Sequence, residues 1–372
     1  MSRRAVPIAV WTVLVLAVAA LAAPARAASE ADLAKLRLPP GFSVSLFASA
    51  PSPRVLQAVP QLNAVFIGSV GSRLSVALYR DGAPQAEQVL SLGDNFNAPH
   101  GVAWQDGWLY VAEVHRITRW RPTRDALGPS NQELIFDQLA NRRGHGYRVI
   151  NVGPDDRLYV TIGTPCNVCE PQGLQGTIVR MPLTGQTAEI YARGIRNSVG
   201  FDFHPRTGEL WFSDNGSDGL GDDVPPDEIN RAPKPGMHFG YPYYGGGNTV
   251  TREYQGRPPP ENVTFPAFAL GAHTAPLGIH FYRGKMFPAE YQNDLFVAQH
   301  GSWNRSVPDG YRVMRIHFEQ GKPVKAIPFL EGFLVNGQAW GRPAGVAELP
   351  DGSLLVADDR GNAIYRVAYK KR

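Results

Sequence analysis

Two stretches decide the fold: Ala98-Pro-His-Gly-Val-Ala-Trp-Gln-Asp-Gly-Trp-Leu-Tyr-Val-Ala-Glu113 and Arg342-Pro-Ala-Gly-Val-Ala-Glu-Leu-Pro-Asp-Gly-Ser-Leu-Leu-Val-Ala-Asp358. Each alternates apolar and polar residues, turns at Asp-Gly and alternates again, which is the pattern of a β-hairpin. The same shape recurs in Asn197–Asp214 and in Arg148–Val160. It recurs again in Pro276–Tyr282 with Asp294–Ala298 after a longer connection, and, worn, in Val55–Val59 with Asn63–Gly68. A third strand follows most copies (His115–Trp120, Gly176–Met181, Tyr311–Ile316, Asn362–Val367) and a fourth follows some (Glu133–Phe136, Ala188–Tyr191). Four antiparallel strands repeated radially form a propeller blade, so the chain reads as an all-β, six-bladed β-propeller. The last copy stops after its third strand at Val367. Phe42–Phe47 is the expected fourth strand, closing the ring and removing an open edge. An open β-solenoid is the alternative.

The rest of the composition fits many short strands. Gly 39 and Pro 32 are high counts spread along the chain, as turns require. The net charge of +4 comes with no dense basic run, which argues against a nucleic-acid partner. Arg3 and Arg4, the apolar run Ile8–Ala23 and the Ala25-Arg26-Ala27 pattern read as a secretory signal peptide cleaved after Ala27. The run is shorter than the roughly 20 residues of a spanning helix, although a membrane anchor is the competing reading. The expected organisation is a signal peptide at 1–27 and one catalytic propeller domain at 28–372. The product would be periplasmic or secreted, with no stable membrane insertion after cleavage. In an exported chain, Cys166 and Cys169 are most simply a local disulfide. Glu170 follows the pair where covalent haem would need histidine.

Propeller geometry then narrows the search for chemistry. Innermost-strand starts and second-strand ends share one mouth of the central channel. Three positions before the repeat's reference residues (Gly101, Arg148, Gly200, Gly278 and Gly345) stand Ala98, His145, Asn197, Ala275 and Arg342, with His100, Arg196 and His273 close by. Second-strand ends add Glu113, Asp214-Asn215-Gly216, His300 and Asp358. Histidine can take a proton near neutral pH, arginine suits carboxylates and oxyanions, and turn carbonyls and carboxylates suit calcium. His204 and His280 fall inside strand patterns and read as structural. Asp106-Gly107, Asp155-Asp156 and Asp351-Gly352 read as hairpin turns at the opposite end. Asp227–Asn230 reads as a loop anchor, and Tyr241–Gly247 as a loop that either lines a cleft or covers the barrel.

Several motifs, taken in order, resemble the soluble quinoprotein sugar dehydrogenases, nearest the sorbosone dehydrogenase branch. They are Gly146-Tyr-Arg148 before Gly153–Gly163, Leu174–Arg180, Gly194-Ile-Arg-Asn197, Ser213-Asp-Asn-Gly216, Asp227-Glu-Ile-Asn230 and Gly240-Tyr-Pro242. The resemblance implies bound pyrroloquinoline quinone (PQQ) and Ca2+, and a sugar or aldehyde substrate. It makes His145 the general base in a proton abstraction coupled to hydride transfer to the quinone. It places Arg196, Asn197 and Arg342 near the quinone, and the calcium on the carbonyls of Gly216 and Ser217. Gly216-Ser217 stands where the family often has Gly-Pro, and His100 where it often has glutamine; His100 is therefore taken as a quinone neighbour. A quinone-binding lysine has no evident counterpart, and Arg305 is the candidate in its place. With no haem motif, electrons would leave to an external acceptor, a quinone or a cytochrome. A calcium-dependent lactonase or esterase, using Glu113, Asp214, Asn215 and Asp358, is a second reading. A non-catalytic ligand-binding propeller is a third.

Overall fold

The computed structural model describes residues 28–370, so the signal-peptide segment lies outside the described residues. Six small antiparallel sheets stand around a central axis. From the innermost strand outward, the first blade is Pro53–Val59, Ala64–Ser69, Leu74–Leu78 and Gln88–Gly93. The second is Gly101–Gln105, Trp108–Ala112, Ile117–Trp120 and Glu133–Phe136. The third is Ile150–Val152, Arg157–Ile162, Thr177–Pro182 and Glu189–Arg193, with Met237–His238 added in parallel at its edge. The fourth is Phe201–Phe203, Leu210–Asp214, Pro226–Ala232 and Phe268–Ala272. The fifth is Pro276–Phe281, Leu295–Gln299, Arg312–Glu319 and Lys322–Leu330.

The sixth blade contains the closure. Pro343–Glu348, Leu354–Asp358 and Ala363–Tyr369 are joined by Phe42–Ser49 as the outermost strand. Phe42 lies opposite Tyr369 and Val44 opposite Val367, as the missing strand required. Asp227–Asn230 lies within a strand, Pro226–Ala232, paired on both sides, and from it Asp227 and Glu228 hold the loop amides of Gly216, Ala275 and Gly247.

Packing follows from burying both faces of each blade. Ala64–Ser69 is buried at every position, so this strand reads as a continuous apolar run rather than an alternation. Phe47, Val65 and Ile67 meet Leu355, Ala357 and Ile364 between the first and last blades. Ala103 and Tyr110 meet Leu158, Val160 and Met181 between the second and third. Near the axis the strands approach so closely that side chains are excluded. A Cβ on Gly200 would run into the carbonyl oxygen of Leu277, and one on Gly345 into that of Arg54.

The closing strand is anchored by aromatic packing as well as by its ladder. The Phe42 ring sits edge-on to Phe287, Phe329, Tyr291 and Tyr369, with centroids 4.8–5.1 Å away. Such pairs add to the area buried. Phe42→Ala is expected to lower stability by about 3 kcal/mol in urea unfolding. A chain deleted through Phe47 should melt below one deleted only through Glu30; equal melting temperatures would count against closure by this strand.

Candidate functional site

The mouth is organised by a repeated clasp. In three blades the carboxylate at the end of the second strand turns back onto the loop that leads into the innermost strand. Glu113 Oε1 accepts from the Asn97 amide at 2.7 Å. Asp214 accepts from the amides of Arg196 and Asn197 at 2.8 and 2.6 Å. Asp358 Oδ1 accepts from the Arg342 amide at 2.7 Å. All three acids are buried. They belong to the loops' scaffolding rather than to the pocket surface, where the lactonase reading needed them.

Those loops converge on a cavity of about 220 Å3. His145, Arg196 and Asn197 form one wall, His273 and His300 another, with Val199 and Leu277 at the base. His145 has φ +48°, a left-handed backbone shared by two of its four repeat equivalents, Ala98 (+50°) and Ala275 (+53°), so the conformation does not depend on the imidazole. His145 Nδ1 is buried without a partner. Burial, with the Arg196 charge beside it, lowers its pKa to about 4, so the ring is neutral at pH 7. Arg196 is held by the Asn167 carbonyl (3.0 Å), the Asn215 carbonyl (3.2 Å) and the Asp218 carboxylate (2.8 Å). The Cys166–Cys169 disulfide spans Asn167, so the bridge shapes the loop that fixes this guanidinium.

The two other imidazoles are committed differently. His273 Nε2 faces two carbonyls, Gly221 at 2.9 Å and Val224 at 3.2 Å, and therefore carries its proton there. His300 Nε2 faces Asp359 at 2.9 Å, whose other oxygen takes Arg54 at 2.6 Å. Burial would raise the Asp359 pKa, but Arg54 and His300 overcome it and hold it well below the usual carboxylate range. Burial lowers the pKa of His300 to about 4.

Behind Gly216 lies a group of buried acids. Asp227 accepts from the amides of Gly216 and Ala275, both at 2.9 Å, and from the Thr274 hydroxyl. Glu228, its neighbour on the strand, points to the other face and accepts from the Gly247 amide at 2.6 Å. Burial raises all three acids, Asp214, Asp227 and Glu228, above ordinary values, Asp227 to about 6. The Tyr241–Gly247 segment covers this group from outside, with the Gly245 carbonyl accepting from the Ser217 amide at 2.6 Å.

Of the residues expected at the site, the structure brings His145, Arg196, Asn197 and Gly216 to one cavity. His100 stands one layer behind. It is buried, bonded to the Arg148 carbonyl and stacked on Tyr147, which does face the cavity. Arg342 also stands behind, its guanidinium on the carbonyls of His300 and Gly301. Arg305 is turned away onto the carbonyls of Asp222 and Ala272. Ser217 is fully buried under Gly216. Arg54, Asp359, Trp303 and Asn304 were missed. Arg54 sits at the very start of the first inner strand, Pro53–Val59, but the worn first copy hid its register.

A second cavity, about 250 Å3, occupies the other end of the channel. Its charges are paired with each other: Arg283 forks onto Asp202 at 2.8 and 2.9 Å, and His280 meets Glu348 at 3.3 Å. Around the first mouth, polar atoms stand without such partners. Arg54 Nε, His145 Nδ1, Asn215 Oδ1 and Asn304 Oδ1 are all buried without partners around the 220 Å3 cavity. Each such atom typically costs about 1–3 kcal/mol, a penalty that a polar ligand relieves.

The fold is a six-bladed propeller, and the candidate site gathers at one mouth of its channel. The family model described as Glucose / Sorbosone dehydrogenase matches residues 109–366. The chain belongs to that family and is an oxidoreductase of the sugar-dehydrogenase type. It is 38% identical over 363 residues to an uncharacterized protein of Borreliella burgdorferi, covering 92% of this chain and 93% of that one. It is 26% identical over 268 residues to an aldose sugar dehydrogenase of Escherichia coli, 65% of each chain. Among solved structures, a Trichoderma reesei carbohydrate-active enzyme of family AA12 superposes with TM-score 0.79 at 17% identity, covering 90% of this chain and 98% of that one. The holo PQQ domain of Coprinopsis cinerea pyranose dehydrogenase gives 0.73, also at 17%, covering 90% and 97%. At such identities the likeness is one of fold.

The position of His145 depends on Gly163. A Cβ there would lie 2.7 Å from the His145 Cβ and 3.1 Å from Asn197 Oδ1. Gly163→Ala is expected to lose about 1–3 kcal/mol in urea unfolding through overpacking. Gly128→Ala, where a Cβ meets nothing within 4 Å, should stay within about 0.5 kcal/mol of the parent.

Proposed function

We propose that this chain oxidises an aldose sugar or sugar aldehyde of the sorbosone type, using pyrroloquinoline quinone and calcium at the 220 Å3 mouth, with His145 as general base. The observation that carries this is the set of unpaired buried polar atoms around one cavity, beside an imidazole that burial keeps neutral. The residues suit the cofactor. Arg54 and Arg196 line the cavity and would meet a polycarboxylate with guanidinium groups, and Arg342 supports the His300 side from behind. The carbonyls of Gly216 and Ser217 are the candidate calcium ligands, and among the described residues no hydrogen bond is donated to either. The buried acids Asp214, Asp227 and Glu228 stand behind them, and a bound cation would favour their charged forms. When bound, the quinone supplies a two-electron acceptor and calcium a Lewis acid beside it.

The chain's own residues do the rest. In this reading neutral His145 takes the proton of the substrate's C1 hydroxyl, or of an aldehyde hydrate. The nearby Arg196 charge disfavours a lasting imidazolium, which helps return the proton to solvent. Electrons then leave to an external quinone or cytochrome. Export to the periplasm or beyond agrees with the disulfide. The lactonase alternative loses its carboxylates to the clasps, since Glu113, Asp214 and Asp358 are engaged with loop amides.

His145→Gln is expected to lower turnover of the reconstituted enzyme by about 10²–10⁴-fold, with the quinone absorbance and calcium content unchanged. In the parent, kcat/KM should hold level as pH falls and drop only through about 4, where His145 gains its proton. A fall centred near about 6.5, the ordinary histidine value, would place the base elsewhere. Ser217→Ala should retain calcium, measured by metal analysis after dialysis, because its hydroxyl is buried without a partner and the carbonyl does the holding. Loss of the metal with the fold intact would assign the hydroxyl to the site.

A further inference from the structure

The loop from Gly301 to Gly310 carries the two most exposed large apolar side chains among the described residues, Trp303 at 76% and Val307 at 71%. Exposed apolar residues are ordinary when scattered, but Trp303 also lines the 220 Å3 cavity. Its surroundings are braced. The Ser302 amide donates to the Asp309 carbonyl at 2.8 Å, and the Asp309 amide to Ser302 Oγ at 3.0 Å. Tyr311 donates its hydroxyl to the Ser302 carbonyl, Asn304 Nδ2 donates to Asp218 at 2.8 Å, and Ser306 donates its amide to Asp222 at 3.0 Å. Arg305 clamps the same loop to the Asp222 and Ala272 carbonyls. An indole left bare on a loop fixed from both sides of it is held at the rim, ready for a flat apolar face. Next to it, Asn304 lines the same cavity with Oδ1 unpaired.

We infer that Trp303 is the substrate platform: the C–H face of a pyranose ring stacks on its indole, and a ring hydroxyl donates to Asn304 Oδ1. This inference rests on the sugar-oxidation reading above and adds to it a selection for cyclic over open-chain substrates. A large rigid aromatic gives contact area at low entropic cost, and one adjacent acceptor fixes orientation. The pair would act on binding and leave the proton-transfer step to His145. Trp303 is then a specificity residue, and its removal should appear in KM more than in kcat.

The experiment uses the full protein reconstituted with PQQ and calcium, as parent, Trp303→Phe and Trp303→Ala. Dye-linked kinetics are measured with an aldopyranose and with glyceraldehyde, which presents no ring. Binding of a 1-deoxy aldopyranose, which has the ring but not the reacting hydroxyl, is measured by calorimetry. The expected result is a KM for the aldopyranose raised about tenfold or more in Trp303→Ala and largely restored in Trp303→Phe. The kcat/KM ratio of pyranose to glyceraldehyde should fall about tenfold, and the 1-deoxy sugar should weaken in parallel. Unchanged KM and unchanged 1-deoxy sugar binding in Trp303→Ala would overturn the inference. So would loss of quinone absorbance, which would place the indole on the cofactor, or a defect seen only with a protein electron acceptor. If the parent oxidises no sugar, the sugar-oxidation reading fails by itself, and the calorimetric arm still decides whether Trp303 holds a ring.

Discussion

Everything at the functional mouth depends on how closely the innermost strands pass one another. Around the axis, backbone meets backbone. Gly200 faces the Leu277 carbonyl and Gly345 the Arg54 carbonyl with no space for a side chain between. That contact fixes the height at which each inner strand begins. The loops before those strands must therefore arrive at a common level, and the clasps from Glu113, Asp214 and Asp358 hold them there. Residues from blades far apart in sequence become neighbours because the ring is narrow, not because any local motif pairs them.

The same constraint explains what could be read from the sequence. The repeat announced the blades, the turns and the closing strand, because alternation and Asp-Gly turns are local signals. His145, Arg196 and Asn197 followed, because they precede inner strands in well-preserved copies. Arg54 did not, because its copy is worn. Asp359 escaped because adjacent residues at a strand end face different surroundings. Asp358 clasps its own loop while Asp359 takes His300 and Arg54. Trp303 and Asn304 sit in a connection between strands, where no periodicity marks which side chain turns toward the axis. Asp227 and Glu228 do hold loops, but adjacent acids gave no sign that each would find backbone amides on its own side of a buried strand.

Charge at the mouth is distributed in layers. Guanidinium and imidazole groups form the inner surface, several braced by an acid or a carbonyl, as Arg196 is by Asp218 and His300 by Asp359. Behind Gly216 lie acids instead, with Asp214, Asp227 and Glu228 buried together. Burial pushes the imidazoles His145 and His300 and the acids behind Gly216 toward neutrality. The lowered His145 and His300 and the raised Asp227 are two expressions of one low-dielectric environment. The disulfide loop takes part as well: the Tyr241 hydroxyl accepts from the Cys169 amide and lies against the Asn167 carbonyl that also holds Arg196.

The ring closure sets an order of events during synthesis. Ser43 meets Ala368 across 325 residues of chain, so Phe42–Ser49 leaves the ribosome long before its partner exists. Until Ala363–Tyr369 appears, the sixth blade is incomplete and the first and last blades have no seam to share. Contacts of such long sequence separation form late and slowly. An early strand waiting with an open edge is also the segment most exposed to wrong pairing. The feature that makes the finished ring edge-free thus makes the nascent chain depend on being shielded, or kept extended, until its final blade is complete.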